Sequence, residues 1–183
     1  MSVPASGEPR TEPRRAPASA GGAIDTDAFR RAAGRFATGV TVVTTCADGV
    51  DHAMTASAFT SVSLDPVLVL VCVEKDARFH EAILETGTWA VSVLAASGRR
   101  AAEWFATRGR PLGGQLDRVP HHRGEASGAA LLDDSLAWLE CRTTAVYDGG
   151  DHDVVLGEVV EVATSGLEGP PLVYYRSAYR ELR

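Results

Sequence analysis

The stretch His52-Ala-Met-Thr-Ala-Ser-Ala-Phe-Thr-Ser-Val-Ser-Leu-Asp-Pro66 decides how this chain folds. It follows an Asp48-Gly49 turn signal and ends at a proline, behind which residues 67–73 form an unbroken apolar run. Thr55, Ser57 and Ser61 set hydroxyls among small alanines. Small side chains let a flat ligand approach the backbone, and short hydroxyls with free N–H groups can hold a phosphate or a polar ring edge. The same residues also suit an ordinary half-buried strand that uses Thr as a β-former. Chemistry alone leaves both readings open.

Working outward, Asp48-Gly49 reads as a hairpin turn between a β-branched strand over residues 40–45 and a strand over residues 52–59. Residues 67–73 are apolar on both faces and read as a central, fully buried strand. Upstream, Asp25 or Thr26 can cap a helix with Phe29, Ala32, Ala33 and Phe36 on one face, ending at Gly39. Downstream, a charged turn over residues 74–78 leads to a short helix carrying Phe79, Ala82 and Ile83, with Gly87 as its stop. A strand over residues 89–94 follows, then a helix capped by Ser97 with Ala101, Trp104 and Phe105 on its apolar face. Residues 107–128 form a long polar segment without period, and loops of that length are usually functional or mobile. Two long strands over residues 136–147 and 154–162 flank Asp148-Gly-Gly-Asp-His-Asp153, and a short strand closes the chain at residues 172–175. About seven strands and three short helices without a βαβ rhythm give a β-rich α+β chain, and strands closed by hairpins point to a barrel.

The chain has 183 residues, 45% of them hydrophobic, enough for one domain with a real core. Residues 1–24 are rich in Pro, Ala, Gly, Ser and Arg, lack a periodic apolar face and read as a disordered tail before a single domain over residues 25–183. A net charge of −6 argues against a nucleic-acid surface. Cys46, Cys72 and Cys141 lie in strand-like runs without CxxC spacing, which points to free thiols in a reducing compartment. No apolar run reaches membrane-span length and no signal-peptide core is visible, so a cytoplasmic protein without a membrane partner is expected.

No GxGxxG fingerprint, P-loop, GxSxG elbow, HExxH helix or zinc-spaced Cys/His cluster is present, and no metal site is expected. Lys75 is the sequence's only lysine. With Arg78 it reads as part of a solvated charged turn. His152 reads equally as an exposed loop histidine.

The run from Met54 to Val73 resembles the signature of the short-chain flavin reductases, the small reductase components of two-component flavin-dependent monooxygenases. Further segments are similar to the same family: Phe36-Ala-Thr-Gly-Val-Thr-Val-Val-Thr44, Ala137-Trp-Leu-Glu-Cys141, Gly150-Asp-His152 with Val155-Leu-Gly-Glu-Val159, and Leu172-Val-Tyr-Tyr-Arg176 with Tyr179. The resemblance spans residues 29–182. It implies a split β-barrel with short flanking helices, a homodimer, and transfer of hydride from NADH or NADPH to FMN or FAD. Reduced flavin would then reach a separate monooxygenase by diffusion. Two other uses of such a barrel stay open: a single-component flavin oxidase or oxygenase, and a non-catalytic flavin- or haem-binding module.

Residue by residue, the resemblance implies flavin contacts at Thr55, Ala56, Ser57 and Ala58, and at the turn Ser61, Val62 and Ser63. It implies phosphate-side positions at Cys72, Val73, Lys75 and Arg78, and it sets His152 on the nicotinamide side. The chain departs from the family at Asp76-Ala-Arg-Phe-His80, where Ser and Thr are usual, and at Gly114-Gln-Leu-Asp117, where an Arg-Phe pair is common.

Overall fold

The computed structural model describes residues 23–182. The tail expected over residues 1–24 lies outside them but for its last two positions. Helix α1, Thr26–Ala33, is capped as expected, Asp25 Oδ1 accepting from the Asp27 N–H at 2.9 Å. It stops at Gly34, not at Gly39. Gly39 instead joins the short strand β1, Thr38–Gly39, which pairs with a C-terminal strand. The helix buries none of its residues, and Phe29 and Phe36 are 63% and 78% exposed.

Strand β2, Thr41–Ala47, turns at Asp48 and Gly49 into β3, Val50–Ala56. Both turn residues have positive φ, 50° and 75°, which matches the twist of a two-residue hairpin. The single strand expected over residues 52–59 is two strands. After Ala56 the chain breaks at Ser57 and Ala58 and restarts as β4, Phe59–Leu64, which hairpins into β5, Val67–Glu74. Helix α2, Arg78–Thr86, ends at Gly87 with φ 63°, as its sequence foretells. Strand β6, Thr88–Leu94, leads through a short 3-10 turn into α3, Arg99–Ala106. Ser97 does not cap α3; its hydroxyl donates to Asp134 at 3.0 Å.

The polar segment over residues 107–128 contains a strand that its sequence hides: β7, His121–Arg123, paired with β8, Ala130–Leu132. Two long strands follow, β9, Ser135–Asp148, and β10, His152–Thr164. The hairpin β11, Leu172–Tyr175, and β12, Ala178–Glu181, completes the chain beside β1.

The main sheet runs β3-β2-β6-β9-β10-β5-β4 and is antiparallel at every pairing. Its outermost strands, β3 and β4, are neighbours in sequence, separated by two residues. The sheet therefore has to curl until its edges meet. The two-residue link between them is anchored on both sides: the Thr41 hydroxyl of β2 donates to the Ala56 carbonyl at the end of β3 at 2.9 Å, and the Cys72 N–H of β5 donates to the Ala58 carbonyl at 3.0 Å. The result is a split β-barrel with short helices packed outside it.

Val43, Val71, Phe79, Ile83, Trp89 and Val91 fill the interior. β5 is not buried on both faces: Val69, Val71 and Val73 point inward, whereas Leu68, Leu70 and Cys72 are half-buried. Trp89 is wholly buried, and its indole lies where β10 would carry a side chain at Gly157. A Cβ there would stand 2.5 Å from Trp89 Cζ2 and 3.2 Å from Cys141 Cβ. The buried Glu140 carboxylate accepts from the Ala126 N–H at 3.0 Å and from the Ser127 N–H and hydroxyl, both at 2.6 Å. It thereby pins the loop between β7 and β8 to the barrel.

Candidate active site

The barrel seam is also the mouth of the main cavity. A cavity of about 490 Å³ opens along β3 from His52 to Ala56 and along the break at Ser57 and Ala58. Its far walls are the end of β5, the start of α2, the segment from Phe105 to Gln115, and His152 on the tip of the β9–β10 hairpin. Ala56, Ser57 and Ala58 keep the seam side low. The closure of the sheet thus places a small-residue floor against two loops and a helix start.

One end is cationic. Arg78 and Arg110 both line the cavity, and neither forms an ion pair among the described residues. Arg110 is a strut. Its guanidinium donates to the carbonyls of Phe105 at 2.9 Å, Thr107 at 3.0 Å and Ala53, and to Gln115 Oε1 at 3.2 Å. Arg78 in turn donates to the Arg110 carbonyl at 2.5 Å. Burial, then the charge of Arg78, lowers the Arg110 pKa. Burial and Arg78 likewise lower that of His52, favouring its neutral form. On the outer rim Arg108 Nη2 donates to both carboxylate oxygens of Glu74, at 2.8 and 2.7 Å.

The 107–128 segment is strapped to the free edge of β3. Arg110 reaches the Ala53 carbonyl, Gln115 the Asp51 carbonyl, and Arg123 the Asp51 carboxylate at 2.5 and 2.7 Å. These side chains replace the main-chain partner that an edge strand lacks.

Of the residues singled out from the sequence, Thr55, Ala56, Ser57, Ala58, Cys72, Arg78 and His152 line this cavity together. The Thr55 hydroxyl donates to the Ala102 carbonyl at 2.7 Å. Ser61, Val62 and Ser63 do not line it. They lie on β4, where a register shift between Ser61 and Ser63 leaves Val62 48% exposed. Val73 is fully buried in the barrel core. Lys75 also lies outside the lining; its ammonium meets Asp148 Oδ1 at 2.5 Å, the Gly150 carbonyl at 2.7 Å and Asp153 Oδ1 at 3.5 Å.

Sequence reasoning missed Arg110, Arg108, Gln115, Glu74 and His52 as cavity residues. The length of the polar segment was the signal for Arg108 and Arg110, and the departure at Gly114-Gln-Leu-Asp117 was a further one for Gln115. A smaller alcove of about 200 Å³ adjoins the cavity at Thr55, Ser57 and Ala106 and is closed by Val40, Tyr174 and Tyr179. No group of His, Cys, Asp and Glu among the described residues could hold a metal ion.

Arg78, Arg108 and Arg110 line the cavity with Glu74 and Asp76, together with the small residues Ala56, Ser57 and Ala58. Residues 33–183 match the flavin reductase like domain, and the chain belongs to that family. It is 50% identical over 133 residues to the NADH-dependent FAD reductase of Streptomyces globisporus, covering 72% of each chain. It is 44% identical to the NADH-dependent FMN reductase of Streptomyces nodosus subsp. asukaensis, covering 85% of this chain and 84% of that one. Among solved structures, the flavin reductase component of a bacterial two-component tryptophan halogenase superposes with a TM-score of 0.81 at 45% identity, over 86% of this chain and 98% of the other. The Streptomyces globisporus NADH:FAD oxidoreductase in complex with NAD and FAD fragments gives 0.82 at 41% identity, over 87% and 93%.

Proposed function

We propose that this chain is an NADH-dependent flavin reductase that takes FAD or FMN as a diffusible substrate and hands the reduced flavin to a separate oxygenase. The observation that carries this reading is the cavity at the barrel seam, with two unneutralised guanidiniums at one end and Ala56, Ser57 and Ala58 as its floor. Arg78 and Arg110 suit a phosphate or pyrophosphate as charge-assisted donors. The small floor residues admit a flat ring close to the backbone. The flavin supplies the hydride-accepting chemistry; the protein supplies alignment and a water-poor pocket. His152, which pairs with Glu74 at the end of β5, orients the nicotinamide without exchanging a proton.

The reading includes a homodimer in the cytoplasm. The half-exposed outer face of β5, with Leu64 85% exposed on β4 and the bare apolar face of α1, supports a second copy packing there. No helix among the described residues is long and apolar enough to cross a membrane. The deciding assay follows NADH oxidation by the purified chain. A rate that scales with added free FAD or FMN is expected. A rate that needs an organic substrate and ignores added flavin would replace the reading with a single-component oxidase.

His152→Ala is expected to lower kcat/KM for NADH about tenfold to a hundredfold, the loss of one hydrogen bond to a desolvated group. Flavin Kd, read by fluorescence quenching, should stay nearly constant. Unchanged NADH kinetics would return His152 to an exposed loop residue.

The thiols give an independent probe. Burial, with Glu140 beside it, pushes Cys141 up to about 12, so its thiolate is negligible at mildly alkaline pH. Cys72 is also raised by burial but opens on the cavity. Iodoacetamide should therefore leave Cys141 unmodified in the folded protein and alkylate Cys72 slowly, with saturating FAD protecting Cys72. Equal Cys72 rates with and without FAD, resolved by peptide mass spectrometry, would separate that strand from the flavin.

A further inference from the structure

We propose that Lys75, Asp153 and His80 form a clamp that holds His152 over the cavity, which makes Asp153 a positioning residue for hydride transfer. The proposal rests on the reading of His152 given above. The tip that carries His152 contains Gly149 and Gly150, the latter at φ 89°. The Gly149 N–H donates to the His152 carbonyl at 2.9 Å and closes the turn, but that bond is internal to the hairpin and does not set how the tip sits against the cavity.

Lys75 supplies one set. Its backbone N–H donates to the Asp151 carbonyl at 3.0 Å. Its ammonium faces three acceptors, Asp148 Oδ1 at 2.5 Å, the Gly150 carbonyl at 2.7 Å and Asp153 Oδ1 at 3.5 Å. These match the three donors of an ammonium, so the only lysine of the chain is committed to the hairpin. Asp153 supplies the second set. Its other oxygen meets His80 Nε2 at 2.7 Å, and both side chains are only 15% exposed.

Asp153 directly follows His152 on β10. Successive side chains of a strand point to opposite faces. Anchoring Asp153 to α2 therefore sets the rotation of the strand and, with it, the side on which His152 emerges. His80 lies two residues after Arg78 on the same helix. The clamp thus joins the cationic wall of the cavity to its imidazole wall, and the two keep their spacing. The His152 ring Nδ1 meets Asp151 Oδ1 of its neighbour at 2.8 Å, which fixes the ring but not the strand.

The test compares Asp153→Ala, Asp153→Asn and Lys75→Met with the intact protein, alone and on a His152→Ala background. Amide hydrogen exchange at residues 151 and 152, flavin Kd, and KM and kcat for NADH are read on each. Asp153→Ala is expected to speed exchange at the tip and raise KM for NADH about tenfold, the cost of a misplaced binding group, with flavin Kd within about twofold. Asp153→Asn keeps an acceptor oxygen and should lose less. On the His152→Ala background, Asp153→Ala should add less than about twofold, because both changes remove one function.

A full additional loss on that background would overturn the clamp, since Asp153 would then act without His152. Unchanged exchange at the tip would overturn it as well. Should Asp153→Ala not fold, Asp153→Asn and Lys75→Met carry the same comparison. Failure of the flavin reductase reading looks different: the unmutated protein would show no flavin-dependent NADH oxidation at all.

Discussion

Replacing Ser57 by tyrosine is expected to abolish flavin binding in a chain that still folds. Ser57 is exposed and sits at the two-residue break where β3 ends and β4 begins, so no core contact depends on it. It lines both the main cavity and the adjoining alcove. A phenol ring there reaches into the space that a flat ligand would occupy. FAD and FMN titrations by fluorescence quenching should show no saturable binding at concentrations that saturate the unmutated protein. Flavin-dependent NADH oxidation should fall by at least about a hundredfold, because the rings can no longer align. Ser57→Ala, which keeps the floor low, should change either quantity little. Retained affinity in the tyrosine variant, with an unaltered melting curve, would take the seam out of the binding site.

Gly157→Val is expected to act on the fold and not on the site. The position lies on β10 at a register shift against β9 and opposite Val69 of β5. A Cβ would stand 2.5 Å from Trp89 Cζ2, and Trp89 is wholly buried with its Nε1 donating to Thr143 Oγ1 at 3.1 Å. Neither the indole nor the backbone has a free direction to move. Overpacking of this kind costs about 3 kcal/mol, or roughly 6–12 °C in Tm for a domain of this size. Trp89→Leu opens the space. On that background the valine should cost at least about 1 kcal/mol less, the signature of two residues in contact. An unchanged Tm for Gly157→Val alone would mean that the indole does not occupy this place.

Much of the fold is legible because local chemistry and tertiary structure agree. The Asp48-Gly49 turn, the cap at Asp25 and the stop at Gly87 are each specified by residues that tolerate one backbone conformation better than their neighbours do. The long strands β9 and β10 follow from runs of β-branched and apolar residues. Where the reading failed, a longer-range competitor decided. Ser57 and Ala58 look like strand interior, yet they are where the chain crosses from one sheet edge to the other. Leu68 and Leu70 look like core, yet the barrel has only one inside. Ser97 looks like a helix cap, yet Asp134, 37 residues away, takes its hydroxyl.

The ordered motifs from Phe36 to Tyr179 determined the family and the split barrel. The family and the barrel followed from the resemblance that these motifs carry in their order, whereas composition and pattern by themselves gave a β-rich α+β chain. Only the tertiary structure decided which charges face the cavity. Arg110 comes from a segment without period and becomes a wall because three carbonyls and Gln115 hold it there. Lys75 reads as part of a solvated turn or, by the resemblance, as a phosphate-side residue, and its ammonium meets a hairpin that arrives 73 residues later in the chain. A side chain's local sequence fixes its charge and reach. Which partner uses that charge depends on strands that meet only when the barrel closes.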